Sequence, residues 1–338
     1  MFLPTTAKEV KALGWDYIDV ILFTADAYID HPAFGAAVVG RLLEAEGYRV
    51  AIVPQPNWRD DLRDFTKLGA PRLFFGVSGG AMDSMVNHYT ANLRLRSNDA
   101  YTSGGKAGFR PDRAVTVYTQ ILKRLFPHVP VVVGGIEASL RRLTHYDYWS
   151  DSIKPSVLAE CGADLLIYGM GEGVVQEVAR AMRNGFNAKL LRKIRQVAFV
   201  ADRSYVERLD PATTLRLHSY EECLRSKASF GENFVAIERE SNLKHPENTL
   251  VEGVGDRFVV VTPPRAMLTT EELDHSFDLP YERAPHPLPR QGRYSRLGRH
   301  DNCMYFSASG NRRHHNASIG REESHHYDPG PKTYLFAI

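Results

Sequence analysis

VPVVVGGIEASLRRLTHYDYW, residues 129–149, carries the plainest architectural signal in the chain. Four valines around one proline form an apolar run without alternation, the pattern of a strand covered on both faces. Two glycines end the run. An acid follows, then an arginine pair, then a dense group of His, Tyr, Asp and Trp. In open α/β sheets, ligands sit beyond the carboxyl ends of the strands. A polar, aromatic, glycine-led stretch at such an end is therefore expected on the ligand-bearing edge.

The flanking sequence repeats this unit. Residues 19–24 (DVILFT), 48–53 (YRVAIV), 72–77 (RLFFGV) and 164–168 (DLLIY) are further short apolar runs. Residues 34–46, 58–68, 114–126, 156–160 and 174–182 carry helical spacing, with stops at Gly47, Gly69 and Gly162. Alternating strands and helices predict a doubly wound, mostly parallel α/β sheet of Rossmann-like type over residues 1–190. The pattern then changes. Residues 219–240 read as a helix interrupted by Gly231, residues 250–262 as a hairpin around 253–256, and residues 271–275 as a short helical piece. Residues 191–288 thus form an α+β segment that docks on the sheet or leads into another domain. Residues 289–338 show no strand or helix period and read as an irregular, disordered tail.

Composition narrows the function classes. The 338 residues suit one large or two modest domains. Lys and Arg number 42 against 40 Asp and Glu, a net charge of +2, so no field points to nucleic acid or an anionic membrane. No apolar run reaches the roughly 20 residues that span a bilayer, and the start lacks the pattern of a signal peptide. Cys161, Cys223 and Cys303 stand far apart, which fits a reducing compartment and predicts a cytoplasmic protein.

Three glycine loops follow predicted strands on one edge: residues 76–80 (GVSGG), Gly134–Gly135, and residues 169–173 (GMGEG). Gly79, Gly80, Gly134, Gly135, Gly169 and Gly171, with Glu172, are candidate ligand-cleft residues. Tight strand-to-helix turns need Gly whether or not anything binds, and three such loops on one edge put a small-molecule cleft on an equal footing with that structural reading. Glu137, Arg141, Arg142, His145 and Asp147 suit a charged ligand or, equally, a structural ion-pair network. Glu137, His145 and Asp147 would form an acid–base set if the fold brought them together. His31 closes the first strand, either as a base or axial ligand or as a cap before a helix opened by Pro32. Residues 103–106 (SGGK) fail as a phosphate loop, because Ala107 stands where Ser or Thr is needed. Residues 169–174 (GMGEGV) fail as a dinucleotide fingerprint, because the third glycine falls one position early.

Six stretches carry a resemblance: ADAYIDHPAFG (25–35), MDSMVNHYTA (82–91), DAYTSGGKAGFRPDRA (99–114), GGIEASLRRLTHYDYW (134–149), ADLLIYGMGEG (163–173) and LDHSFDLPYERAPHP (273–287). Together they closely resemble the N-terminal region of YgiQ-type radical SAM proteins, from about residue 5 to 288. The resemblance implies a [4Fe–4S] cluster on Cys-x-x-x-Cys-x-x-Cys soon after residues 285–287, with S-adenosylmethionine at its open iron. Here only Cys303 lies in that region, and Ser307 and Gly310 take the other two positions. One thiolate cannot hold such a cluster. No cofactor is therefore expected in this chain, and a radical SAM core is the missing partner. The tail lacks Val and carries His300, His314, His315, His325 and His326, consistent with a reading frame that shifts near Leu288. The glycine loops are also similar to cobalamin-binding-like domains, whose pattern is Asp-x-His-x-x-Gly. Asp30 and His31 are adjacent here and Gly35 lies four residues on, so His31 departs from the axial-ligand pattern. A cobalamin-like binding module is the alternative reading.

Overall fold

The computed structural model describes residues 1–185 and 188–287. The predicted tail, with Cys303 and its five histidines, lies outside the described residues. The described residues form eleven strands: β1 (Val20–Thr24), β2 (Val50–Pro54), β3 (Phe74–Ser78), β4 (Val131–Gly134), β5 (His145–Asp147), β6 (Ser152–Lys154), β7 (Leu165–Ile167), β8 (Val197–Ala201), β9 (Thr214–Arg216), β10 (Thr249–Val254) and β11 (Arg257–Val261). Nine of them build one sheet in the order β2-β1-β3-β4-β7-β8-β11-β10-β9. The first five are mutually parallel. β8, β11 and β10 then pair antiparallel in turn, and β9 runs parallel to β10.

Both faces of the parallel half are covered, as the unbroken apolar runs predict. Val20 and Leu22 of β1 enter a core with Ile52, Val132 and Val178. Ile21 and Phe23 enter a second core with Val53, Phe75 and Val133. This is the period-two division of a strand packed on each side. Helices Gly35–Ala45 and Glu172–Arg183 pack on the first face, and Ala114–Leu125 and Val157–Cys161 on the second. The molecule is thus an α/β protein with a mostly parallel sheet.

Strand order reverses at β1, since the chain goes first to β2 on one side and then to β3 on the other. Such a reversal leaves a crevice at the strands' carboxyl ends. β11 runs opposite to β8, which runs opposite to β7, so the end of β11 and the start of β10 reach the same edge.

Local differences from the sequence reading have local causes. The helix expected over residues 58–68 shrinks to Arg63–Thr66. Leu62 is left-handed, and the Asp60 and Asp61 carboxylates accept the N–H groups of Leu62 and Arg63 in place of helix carbonyls. The helix expected over 219–240 breaks at Ser226, not at Gly231. Ser226 is extended and caps Lys227–Ser241 by accepting the Ser229 N–H, and Gly231 sits inside that helix. The stretch after Gly135 is a helix, Gly135–Leu140, followed by the β5–β6 hairpin. β8 and β9 were not foreseen. The sheet continues through residue 190, because β8 pairs with β7. Among the described residues, no helix is long and apolar enough to cross a membrane.

Candidate functional site

A cavity of about 630 Å³ lies at the carboxyl edge of the sheet. Its floor is backbone from the three glycine loops, including Gly76, Gly80, Gly134, Gly135, Gly169 and Gly171. Val38, Val39, Leu140, Met170 and Val175 supply apolar lining, and Pro263 and Pro264 line it too. Its volume is in the range that takes a small organic ligand.

Beside this cavity sits a closed polar cluster. Arg110 is fully buried. It donates to Asp26 at 2.8 Å, to Asp99 at 3.0 Å and to the Gly79 carbonyl at 3.1 Å. Asp26 also accepts the Ala81 N–H at 2.6 Å. The Glu137 carboxylate is 1% exposed and accepts from Ser84 N–H, Ser84 Oγ and Val115 N–H. Burial raises the pKa of Glu137. Gly79 and Gly80 belong to this cluster more than to the cavity. A Cβ on Gly79 would strike Glu137, and one on Gly80, which has φ +95°, would strike Asp26. Arg141 pairs with Asp83, whose other oxygen caps helix Ser84–His88 at Met85 and Val86.

The acid–base set does not assemble. Glu137 is held by Ser84 and Val115. Asp147 accepts from Arg113 at 2.7 Å and from Ser150. The His145 ring meets its own loop at the Leu143 carbonyl, 3.2 Å away. No hydrogen bond joins the three among the described residues. Burial pushes His145 down to about 4, so its imidazole is neutral at ordinary pH.

Arg142 and Glu172 do face the cavity. Arg142 Nη1 donates to the Ser139 carbonyl at 2.7 Å, and its guanidinium lies 5.0 Å from the Tyr168 ring centre. Its Nε is buried and meets no acceptor among the described residues. Burial lowers the Arg142 pKa. Glu172 opens helix Glu172–Arg183, with Oε2 buried and without a hydrogen-bond partner. Burial raises its pKa.

His31 is 2% exposed and accepts the Ala33 N–H on Nδ1 at 3.0 Å, a bond within the loop before helix Gly35–Ala45, whose N-cap is Phe34 and takes no side-chain hydrogen bond. Burial pushes it down to about 4. It does not line the cavity, and neither does any other His or any Cys among the described residues. An axial imidazole for cobalamin is thus not supplied there.

A [4Fe–4S] cluster needs three accessible thiolates. Cys161 and Cys223 are both buried and lie in separate helices. Burial pushes their thiols up to about 12 and about 11, away from the thiolate form. Among the described residues, no group of three His, Cys, Asp or Glu side chains is placed to hold a metal. These residues do not fit the cluster, and no step of its chemistry runs through them.

Sequence reasoning missed Asp26, Asp83, Asp99 and Arg110. Their signal was present, because all four stand inside the stretches that carry the family resemblance.

Comparison with known proteins gives the lineage. The family model described as Radical SAM N-terminal matches residues 2–295. A UPF0313 protein of Porphyromonas gingivalis is 58% identical over 286 residues, covering 85% of this chain and 45% of the relative. One from Bacteroides thetaiotaomicron is 56% identical over 297 residues, covering 85% and 47%. One from Thermotoga neapolitana is 45% identical over 301 residues, covering 88% and 50%. The chain spans about half the length of the curated relatives it matches. It belongs to the radical SAM N-terminal family, and its relatives there are the YgiQ-type UPF0313 proteins.

Proposed function

We propose that this chain is the ligand-holding N-terminal part of a YgiQ-type radical SAM protein and performs no radical chemistry alone. The observation that carries the reading is the cavity at the strand-order reversal, built from glycine backbone and largely apolar walls and lined, among the described residues, by neither thiol nor imidazole. The half of each relative that this chain does not match is where the reading puts the cluster and its S-adenosylmethionine. Chain geometry supports that arrangement. Pro285 bridges to Ile29, and the His286 N–H donates to the Tyr28 carbonyl. The last described residues therefore return to the end of β1, beside the same edge.

The test is anaerobic reconstitution of the purified chain with ferrous iron and sulfide. The expected result is no protein-bound [4Fe–4S] absorption and no 5′-deoxyadenosine from S-adenosylmethionine with dithionite. A bound cluster that cleaves S-adenosylmethionine would overturn the proposal. The second reading, a cobalamin-like binding module without catalysis, draws on the same cavity. It predicts that corrin colour stays with the protein through gel filtration.

A further inference from the structure

We infer that the cavity takes a small organic anion, an apolar body ending in one carboxylate or phosphate group that Arg142 holds. This rests on the reading of the cavity as a ligand site and adds the class of ligand.

The comparison that carries it lies within this molecule. Buried Arg110 has Asp26 and Asp99, buried Arg41 has Asp30 and Glu44, and Arg141 has Asp83. Arg142 lines the cavity with no carboxylate in ion-pair distance among the described residues. An arginine stays charged in proteins, and a charge withdrawn from water without a partner is unfavourable. The guanidinium's orientation is fixed. Nη1 is engaged by the Ser139 carbonyl and one face lies toward Tyr168, while Nε–H is buried with no acceptor. Nη2 meets no acceptor among the described residues and is the donor left for an oxygen of a carboxylate or phosphate.

Glu172 constrains the ligand further. It lines the same cavity and is not ion-paired among the described residues, so it suits a donor group on the ligand. A carboxylate there also opposes a second anionic group. The ligand so defined carries one anion, one hydrogen-bond donor and an apolar body against Val39, Leu140, Met170 and Val175.

Two fluorescent probes of matched shape test this on the full chain: anilinonaphthalene sulfonate, which carries an anion, and neutral N-phenylnaphthylamine. The expected result is saturable one-to-one binding of both, with Arg142→Met weakening the anionic probe about tenfold or more. The neutral probe should be unaffected. Arg142→Lys, which keeps the charge and loses the planar guanidinium, should fall between. Val39→Trp, which fills the cavity, should abolish both. Thermal melts of each variant separate lost binding from lost folding. If both probes bind, Val39→Trp blocks them and Arg142→Met changes neither, the cavity stands and the anion assignment falls. If neither probe binds saturably, the ligand site itself falls. Displacement of the sulfonate probe by benzoate or by phenyl phosphate tells a carboxylate ligand from a phosphate one. Displacement by neither overturns the assignment.

Discussion

Two polar regions share the carboxyl edge of the sheet, and they are built on opposite principles. Around Arg110 and Glu137 the ionised and hydrogen-bonding groups are closed on one another: Arg110 with two aspartates, Glu137 with three donors, Asp83 with Arg141 and a helix start. Around Arg142 and Glu172 a cation and an acid stand on a cavity wall, each with a buried atom left without a partner. The closed region pins the loops after β1, β3 and β4 to one another. The open region leaves hydrogen-bonding capacity for something else. Proximity to the predicted cleft thus does not by itself identify the ligand-facing residues.

The sharpest way to break this contrast is to open the closed region. Arg110→Met leaves Asp26 and Asp99 buried without their cation. The expected loss of stability is about 3–5 kcal/mol, as for other buried pairs stripped of one partner. Chemical denaturation with an unchanged denaturant slope would measure it. A loss below about 1 kcal/mol would mean that the cluster is not a fastener, and the division drawn above would fail.

A third buried acid adds a pH dimension. Glu252 on β10 is 0% exposed, and both its oxygens accept the Thr144 N–H, at 2.9 and 3.2 Å. No cation pairs with it among the described residues, and burial pushes it from 4.5 up to about 7, with nearby Glu221 adding in the same direction. A folded pKa above the unfolded one gives stability that is fully present below the unfolded value. That stability is lost as pH rises through the folded value. The protein should therefore lose about 2–3 kcal/mol between pH 4.5 and 7 relative to Glu252→Gln, which keeps an acceptor but does not titrate. Melting of the two proteins across that range checks the sign. Parallel curves would show that Glu252 is solvated or paired.

The parallel half of the fold was legible because its signals are local. Its strands are short apolar runs, three of them (β3, β4 and β7) leading into glycine loops, and its longer helices each show their own period. The antiparallel half was less so. VAFVA in β8 pairs with strands on both sides, but no glycine loop leads from it to a long helix. At the site, sequence placed Glu137, Arg141 and Arg142 together without separating them. The separation depends on distant partners: Ser84 lies 53 residues from Glu137, and Asp83 lies 58 from Arg141. Neighbouring arginines can look alike in sequence while pointing at an aspartate and at a cavity. Ser226 is a milder case. Its capping of Ser229 sets the helix break, whereas Gly231, the expected interruption, sits inside the helix.

The smallest expected effect is the most telling. Arg142→Met removes one hydrogen bond, to the Ser139 carbonyl, and the contact with the Tyr168 ring, and also removes a charge that burial disfavours. These changes oppose each other, so ligand-free stability should shift by no more than about 1 kcal/mol in either direction. Arg141→Met, one residue earlier, strips Asp83 of its cation and should cost several times as much. Denaturation of the two variants side by side measures the difference directly. A large loss for Arg142→Met would place its guanidinium in the framework with Arg110 and Arg141. A near-neutral result would leave it with no structural task, and a side chain kept charged on a cavity wall at no gain to folding is one whose partner arrives from outside.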